Sequence, residues 1–98
     1  MQFKDTAVVE GVGTVTVSTK HFGGAGGRDY WETAILWPES WPGSLHTDMG
    51  DGFEVAACHY GLEAGREAAV LAHRRYMQPR KLTELAATIV HRPEEVYA

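Results

Sequence analysis

Residues 14–22, TVTVSTKHF, alternate along their length: Val15, Val17, Thr19 and His21 project to one side, and Thr14, Thr16, Ser18, Lys20 and Phe22 to the other. A period of two, with β-branched residues at most positions, predicts a strand buried on one face only. The period returns in YWETAILW (30–37), where Trp31, Thr33, Ile35 and Trp37 oppose Tyr30, Glu32, Ala34 and Leu36. It returns again in FEVAACHY (53–60), where Phe53, Val55, Ala57 and His59 oppose Glu54, Ala56, Cys58 and Tyr60. Pro38 closes the middle run, since proline has no N–H to give to a ladder. Upstream, TAVVEGVG predicts an earlier strand that turns or bulges at Gly11–Gly13. GGAGGRD (23–29) predicts a hairpin connection and not a phosphate cradle, because a strand follows it where a cradle needs a helix.

From Gly61 the period changes. GLEAGREAAVLAHRRYM puts Leu62, Gly65, Ala69, Ala72 and Tyr76 on one stripe at three-four spacing, which predicts a helix from about Gly61 to Met77. Its small residues allow close approach to the sheet, and Pro79 closes it. The tail KLTELAATIVHRPEEVYA fits either a short helix through Leu82, Leu85, Ala86 and Ile89 or a returning strand through AATIV, and residues 82–98 could pack as a separate tail. The expected fold is α+β: one domain over residues 1–98, with a three- or four-stranded, mainly antiparallel sheet on one long helix and a short C-terminal helix or strand.

Composition narrows the class. With 98 residues, 44% apolar and 22% charged, the chain matches a single globular domain. No run approaches the roughly 20 apolar residues that cross a bilayer, and Lys4 and Asp5 interrupt the opening where a leader needs an unbroken apolar stretch. A cytoplasmic protein without membrane contact is expected. Cys58 is the only cysteine, which excludes an internal disulfide and the multi-thiolate zinc sites; no cofactor is expected. The net charge of −4 is uneven. Residues 1–60 are acidic, whereas Arg74, Arg75, Arg80 and Lys81 crowd into HRRYMQPRK.

Few residues carry candidate chemistry. Cys58 and His59 are neighbours in a strand, so they project to opposite faces and cannot share a proton. His21, His59 and His73 lie on or beside the core side of their elements, and three converging imidazoles could hold zinc; separate, individually satisfied histidines are the simpler account. Asp48, Asp51 and Gly52 lack the alternating acids and the terminal glutamate of a calcium loop. The basic cluster is explained by a helix C-terminus, where positive charge complements the macrodipole, or by a phosphate track on nucleic acid.

All three tryptophans fall between residues 30 and 41. Trp31 and Trp37 are expected to roof the core. Trp41, in PESWPGS, is expected either to touch a partner or to fold back over the sheet edge. On the far side of the sheet, Ala34, Leu36, Ala56 and Cys58 make an apolar patch that needs a cover, whether the tail, a twin subunit or another protein. The functional expectation is therefore a non-catalytic binding protein, acting through Trp41, Leu36, Ala34 and Ala56, with a homodimer as one form. The alternative is a nucleic-acid-binding regulator acting through Arg74, Arg75, Arg80 and Lys81.

Three short motifs carry a resemblance. VST followed by a histidine and glycines (Val17–Gly24), ETAIL (Glu32–Leu36) and the helix LEAGREAAVLA (Leu62–Ala72) resemble small uncharacterised accessory proteins encoded by actinobacteriophages, over roughly the middle two thirds of the chain. Where such proteins often carry a histidine after the helix glycine, this chain has Arg66. The resemblance implies a protein made inside the infected host cell, a host or phage protein as its partner, and no assigned catalytic residues.

Overall fold

The computed structural model describes residues 2–23 and 28–91. Strands β1 (Gln2–Val9), β2 (Gly13–Phe22), β3 (Tyr30–Leu36) and β4 (Phe53–Tyr60) form one sheet in the order β1-β2-β3-β4, and every neighbouring pair is antiparallel. Helices α1 (Glu63–Tyr76) and α2 (Pro79–Val90) follow, and a 3-10 turn at Pro42–His46 lies between β3 and β4. Consecutive strands are neighbours throughout; β1 and β2 are joined by the tight turn at residues 10–12, whereas residues 37–52, which hold the 3-10 turn, join β3 to β4. The β1–β2 turn needs left-handed backbone at Gly11 (φ 78) and Gly13, which is why glycines interrupt the strand pattern there. Residues 24–27, the centre of the glycine-rich connection, lie outside the described residues.

The alternation in β2 and β3 sorts as expected. Val15, Val17, Thr19, Trp31, Thr33, Ile35 and, just after β3, Trp37 are buried, and both helices pack on this side. Gly65 is the point of closest approach: a Cβ there would sit 3.0 Å from His59 O, Tyr60 O and Trp31 Cδ1. Ala69 and Ala72, one and two turns further on, are buried as the stripe predicts. Leu62, at the head of that stripe, is instead 54% exposed, because it precedes the helix and only its carbonyl is used, accepting from Trp31 Nε1–H at 3.1 Å.

Two expectations for the C-terminal third are resolved by packing. The tail is a helix, begun by Pro79 after the extended Gln78 (ψ 123); proline at the first helical position gives up an N–H that has no intrahelical acceptor anyway. The described part of residues 82–98 joins the core. Leu82, Ala86 and Ile89 are buried in one cluster with Val9, Val15, Val17, Ile35, Trp37 and Trp41, so residues through Val90 share the core. Residues 92–98 are outside the described set.

In β4 the expected alternation fails halfway. Thr33 pairs with Ala57 and Ala34 with Val55, which leaves Ala56 as the extra residue of a β-bulge. An inserted residue inverts the facing of everything before it. Ala57 and His59 therefore lie on the helix side, as expected, but Glu54 (5% exposed) joins them there while Phe53 and Val55 turn to the opposite side.

Candidate interaction surface and the polar strut beneath the helix

The side of the sheet away from the helices is open among the described residues. Its cross-strand rows follow from the registers. Phe22, Tyr30 and Tyr60 form one row, Lys20, Glu32 and Cys58 the next, then Ser18, Ala34 and Val55, then Thr16, Leu36 and Phe53. The first row is an aromatic ladder: Phe22 stacks on Tyr30 with centroids 5.1 Å apart, and Tyr30 meets Tyr60 at 6.0 Å. Tyr60 is 66% and Leu36 37% exposed. Phe53 and Val55 are half-buried by their neighbours and join the patch because the bulge turns them outward.

Of the four residues expected to touch a partner, the structure leaves one in position. Leu36 is exposed on the open face. Ala34 lies on that face but forms its floor, at 5% exposure between Ser18 and Val55. Ala56 is the bulge residue; it packs against the core, and its carbonyl accepts from the Tyr76 hydroxyl at 3.4 Å. Trp41 is 8% exposed, with its ring 4.8 Å from that of Trp37 and tilted by 39°. The fold-back is made by the 3-10 turn: Trp41 N–H donates to Pro38 O, Ser44 N–H donates to Trp41 O, and the indole lies directly over Gly43, where any Cβ would overlap its benzo edge. Trp41 is thus a core residue. Its place on the patch is taken by Phe53, Val55 and the aromatic row, which only the bulge and the pairing reveal.

The basic cluster is divided between two helices. Arg74 and Arg75 occupy the last turn of α1, where their charge complements the helix dipole. Arg80 and Lys81 begin α2 at the end that repels cations, and Glu84 lies 3.6 Å from Arg80 Nε and 3.9 Å from Lys81 Nζ. The explanation by a helix C-terminus therefore holds for the first pair only.

The histidines do not converge. His21 and His59 flank Trp31 in one row, so an indole separates them. His21 is spent on Asp29 (2.9 Å) and on the Trp31 ring (5.0 Å). No group of three or more metal-ligating side chains comes together among the described residues. Asp48 and Glu54 instead bond the chain to itself: Asp48 N–H donates to Glu54 Oε2 at 2.6 Å, and Val55 N–H donates to the Asp48 carboxylate at 3.1 Å. The second bond covers one donor on the β4 edge, Val55 N–H, a group that would otherwise invite strand addition.

A second polar constellation runs under α1. His73 Nε2 is 2.7 Å from Asp5 Oδ2, His73 Nδ1 is 2.8 Å from Thr19 Oγ1, and Thr19 Oγ1 is 2.9 Å from Thr33 Oγ1. With the imidazole neutral, one proton arrangement satisfies every group: Nε2–H donates to Asp5, Thr19 O–H donates to Nδ1, and Thr33 O–H donates to Thr19. The order carboxylate, imidazole, hydroxyl is that of a hydrolytic triad. Here the hydroxyl has no access to a substrate, since Thr19 is 0% exposed and both ring nitrogens are engaged. The chain is a strut that holds the helix on the sheet. Parity in the sequence put Thr19 and Thr33 inward, but nothing in it paired His73 with Asp5, 68 residues away.

Among the described residues no helix is long and apolar enough to cross a membrane. No family model, curated protein or solved structure matches the chain.

Proposed function

We propose that this protein is a non-catalytic binding module that engages another protein through the open face of its sheet. One observation carries the reading: both helices pack on the same side, so Leu36, Phe53, Val55 and the Phe22–Tyr30–Tyr60 row remain without cover among the described residues. Exposed apolar and aromatic area of this kind, here crossed by the Lys20–Glu32–Cys58 row, is what protein interfaces use. The motifs resembling actinobacteriophage accessory proteins support a host or phage protein in the infected cell's cytoplasm as the partner. The nucleic-acid alternative is weakened by Glu84, whose single negative charge sits beside both Arg80 and Lys81 and offsets one of the four positive charges it needs.

Cys58 provides the test. It is the single cysteine, it is exposed, and it lies on the open face. A photo-crosslinker attached there should capture one protein from infected-cell lysate. Capture should be lost with Leu36→Glu and Val55→Glu and kept with Arg75→Glu on the helix side. Capture that ignores the two face substitutions, or that follows Arg75, would refute the reading.

A further inference from the structure

The two central strands carry one charge each on the open face, Lys20 on β2 and Glu32 on β3, and the two residues are directly opposite in register. They are not bonded to each other. Lys20 Nζ lies 5.3 Å over the Phe22 ring, and Glu32 has no ion-pair partner among the described residues. Opposite charges set symmetrically about the midline between β2 and β3 make the face complementary to itself.

The geometry points to a second copy of this chain as an occupant of the open face, docked about a twofold axis that runs between β2 and β3 parallel to the strands. This rests on the reading of that face as a docking surface. The operation lays β2 of one copy over β3 of the other. Lys20 then meets the Glu32 position of the second copy and Glu32 its Lys20, Phe22 meets Tyr30, and Thr16 meets Leu36. Such an interface is isologous, as a closed dimer requires. A twofold perpendicular to the strands and crossing this row would instead set Lys20 against Lys20, so among dockings that keep the two charges in contact the parallel axis is favoured. Lys4, on edge strand β1 in the Ser18 row, falls at the rim, where its stem can lie along Val55 while its ammonium stays in water.

Area sets the strength. Four strands about 4.8 Å apart and about seven residues long at about 3.3 Å give a footprint of roughly 450 Å² per copy. The pair therefore reaches about 900 Å² before side-chain relief is added, below the roughly 1,200 Å² of stable interfaces and in the range of weak, transient ones. A reversible, concentration-dependent dimer follows. Self-association and capture of another protein draw on one surface, so the monomer is the form that takes the other partner.

Sedimentation velocity from micromolar to millimolar concentration tests this with a charge exchange. The wild type should shift from monomer to dimer. Lys20→Glu and Glu32→Lys should each weaken self-association by about tenfold or more, since each sets like charges face to face. An equimolar mixture of the two variants should recover the dimer, because the all-acidic copy meets the all-basic one. Only a contact between copies gives that recovery; repair of a pair within one chain does not. Melting curves check that both variants fold, and if either melts early, Leu36→Glu serves as the monomerising variant. A wild type that stays monomeric at millimolar concentration, single variants that associate like the wild type, or a mixture that does not pair overturns the inference. A monomer that still captures a protein through Cys58 overturns self-association alone and leaves the docking face standing.

Discussion

His73 Nε2 lies 2.7 Å from Asp5 Oδ2, which ties the last turn of the sheet-packed helix α1 to the edge strand β1. The two ends of this contact are unequal: the His73 side chain is 9% exposed and that of Asp5 59%. Removing the buried side of the strut strands its neighbours, whereas removing the wet side lets water replace it.

Thr19→Val should therefore cost about 1–3 kcal/mol, because His73 Nδ1 and the Thr33 hydroxyl lose their partner in a dry interface. Asp5→Ala should cost less, about 0.5–1.5 kcal/mol, because it removes one hydrogen bond whose acceptor side is open to water. Urea unfolding checks the order. The double variant Thr19→Val/Thr33→Val should cost less than the sum of its parts, since the two hydroxyls share one chain of bonds. Strict additivity would show that the strut does not act as a unit.

Trp41 gives a prediction about stability, not recognition. Trp41→Ala should destabilise by about 3–5 kcal/mol, as expected of a large aromatic removed from a core. Gly43→Ala, which touches no other tryptophan contact, should cost about 1–3 kcal/mol by forcing the indole out of place. Denaturation midpoints measure both. A Trp41→Ala protein as stable as the wild type would mean the ring is not packed on Trp37.

At Gly65 two effects oppose each other. Alanine is the better helix former by about 1 kcal/mol, but its Cβ would meet two carbonyl oxygens and an indole at 3.0 Å. Backbone carbonyls of β4 cannot swing aside as a flexible side chain can, so overpacking at about 1–3 kcal/mol should win. Gly65→Ala is expected to lower the melting temperature, and a rise would mean that the helix rides further from the sheet.

The second helix makes the same point from the core. Leu82→Ala and Ile89→Ala should each cost about 2–5 kcal/mol, because both side chains are 0% exposed among β1 and β2 residues. Unfolding should stay a single transition by far-UV circular dichroism and by tryptophan fluorescence. An early, separate helical transition would mean that Pro79–Val90 is an appendage.

Much of this architecture is legible in the chain, and the exceptions have physical causes. The faces of β2 and β3 follow from parity because valines, threonines and tryptophans alternate without interruption. The close seat of α1 follows from Gly65, Ala69 and Ala72. The tail could not be assigned from AATIV, whose residues suit helix and strand alike; burial of Leu82 and Ile89, two turns apart on one stripe, decides it. Trp41 stays open between partner contact and folding back, because prolines on either side suit an exposed loop while the residue that lets it fold back, Gly43, bears no visible mark; the packing decides for the fold-back. The candidate surface was half readable: Leu36 and Ala34 were on the expected face, and Phe53 and Val55 were on the wrong one.

That last error has one source with a consequence of its own. Between Val55 and Ala57 the edge strand holds one more alanine than its partner needs, and this surplus alone decides which half of Phe53–Val55 is wet. Shortening the chain by Ala56 would leave every other side chain unaltered. It would nevertheless push a carboxylate into view and draw an aromatic ring inward, exchanging a greasy rim for an acidic one. For this molecule, the character of its outer wall is governed by chain length at one point as much as by the identity of the residues that line it.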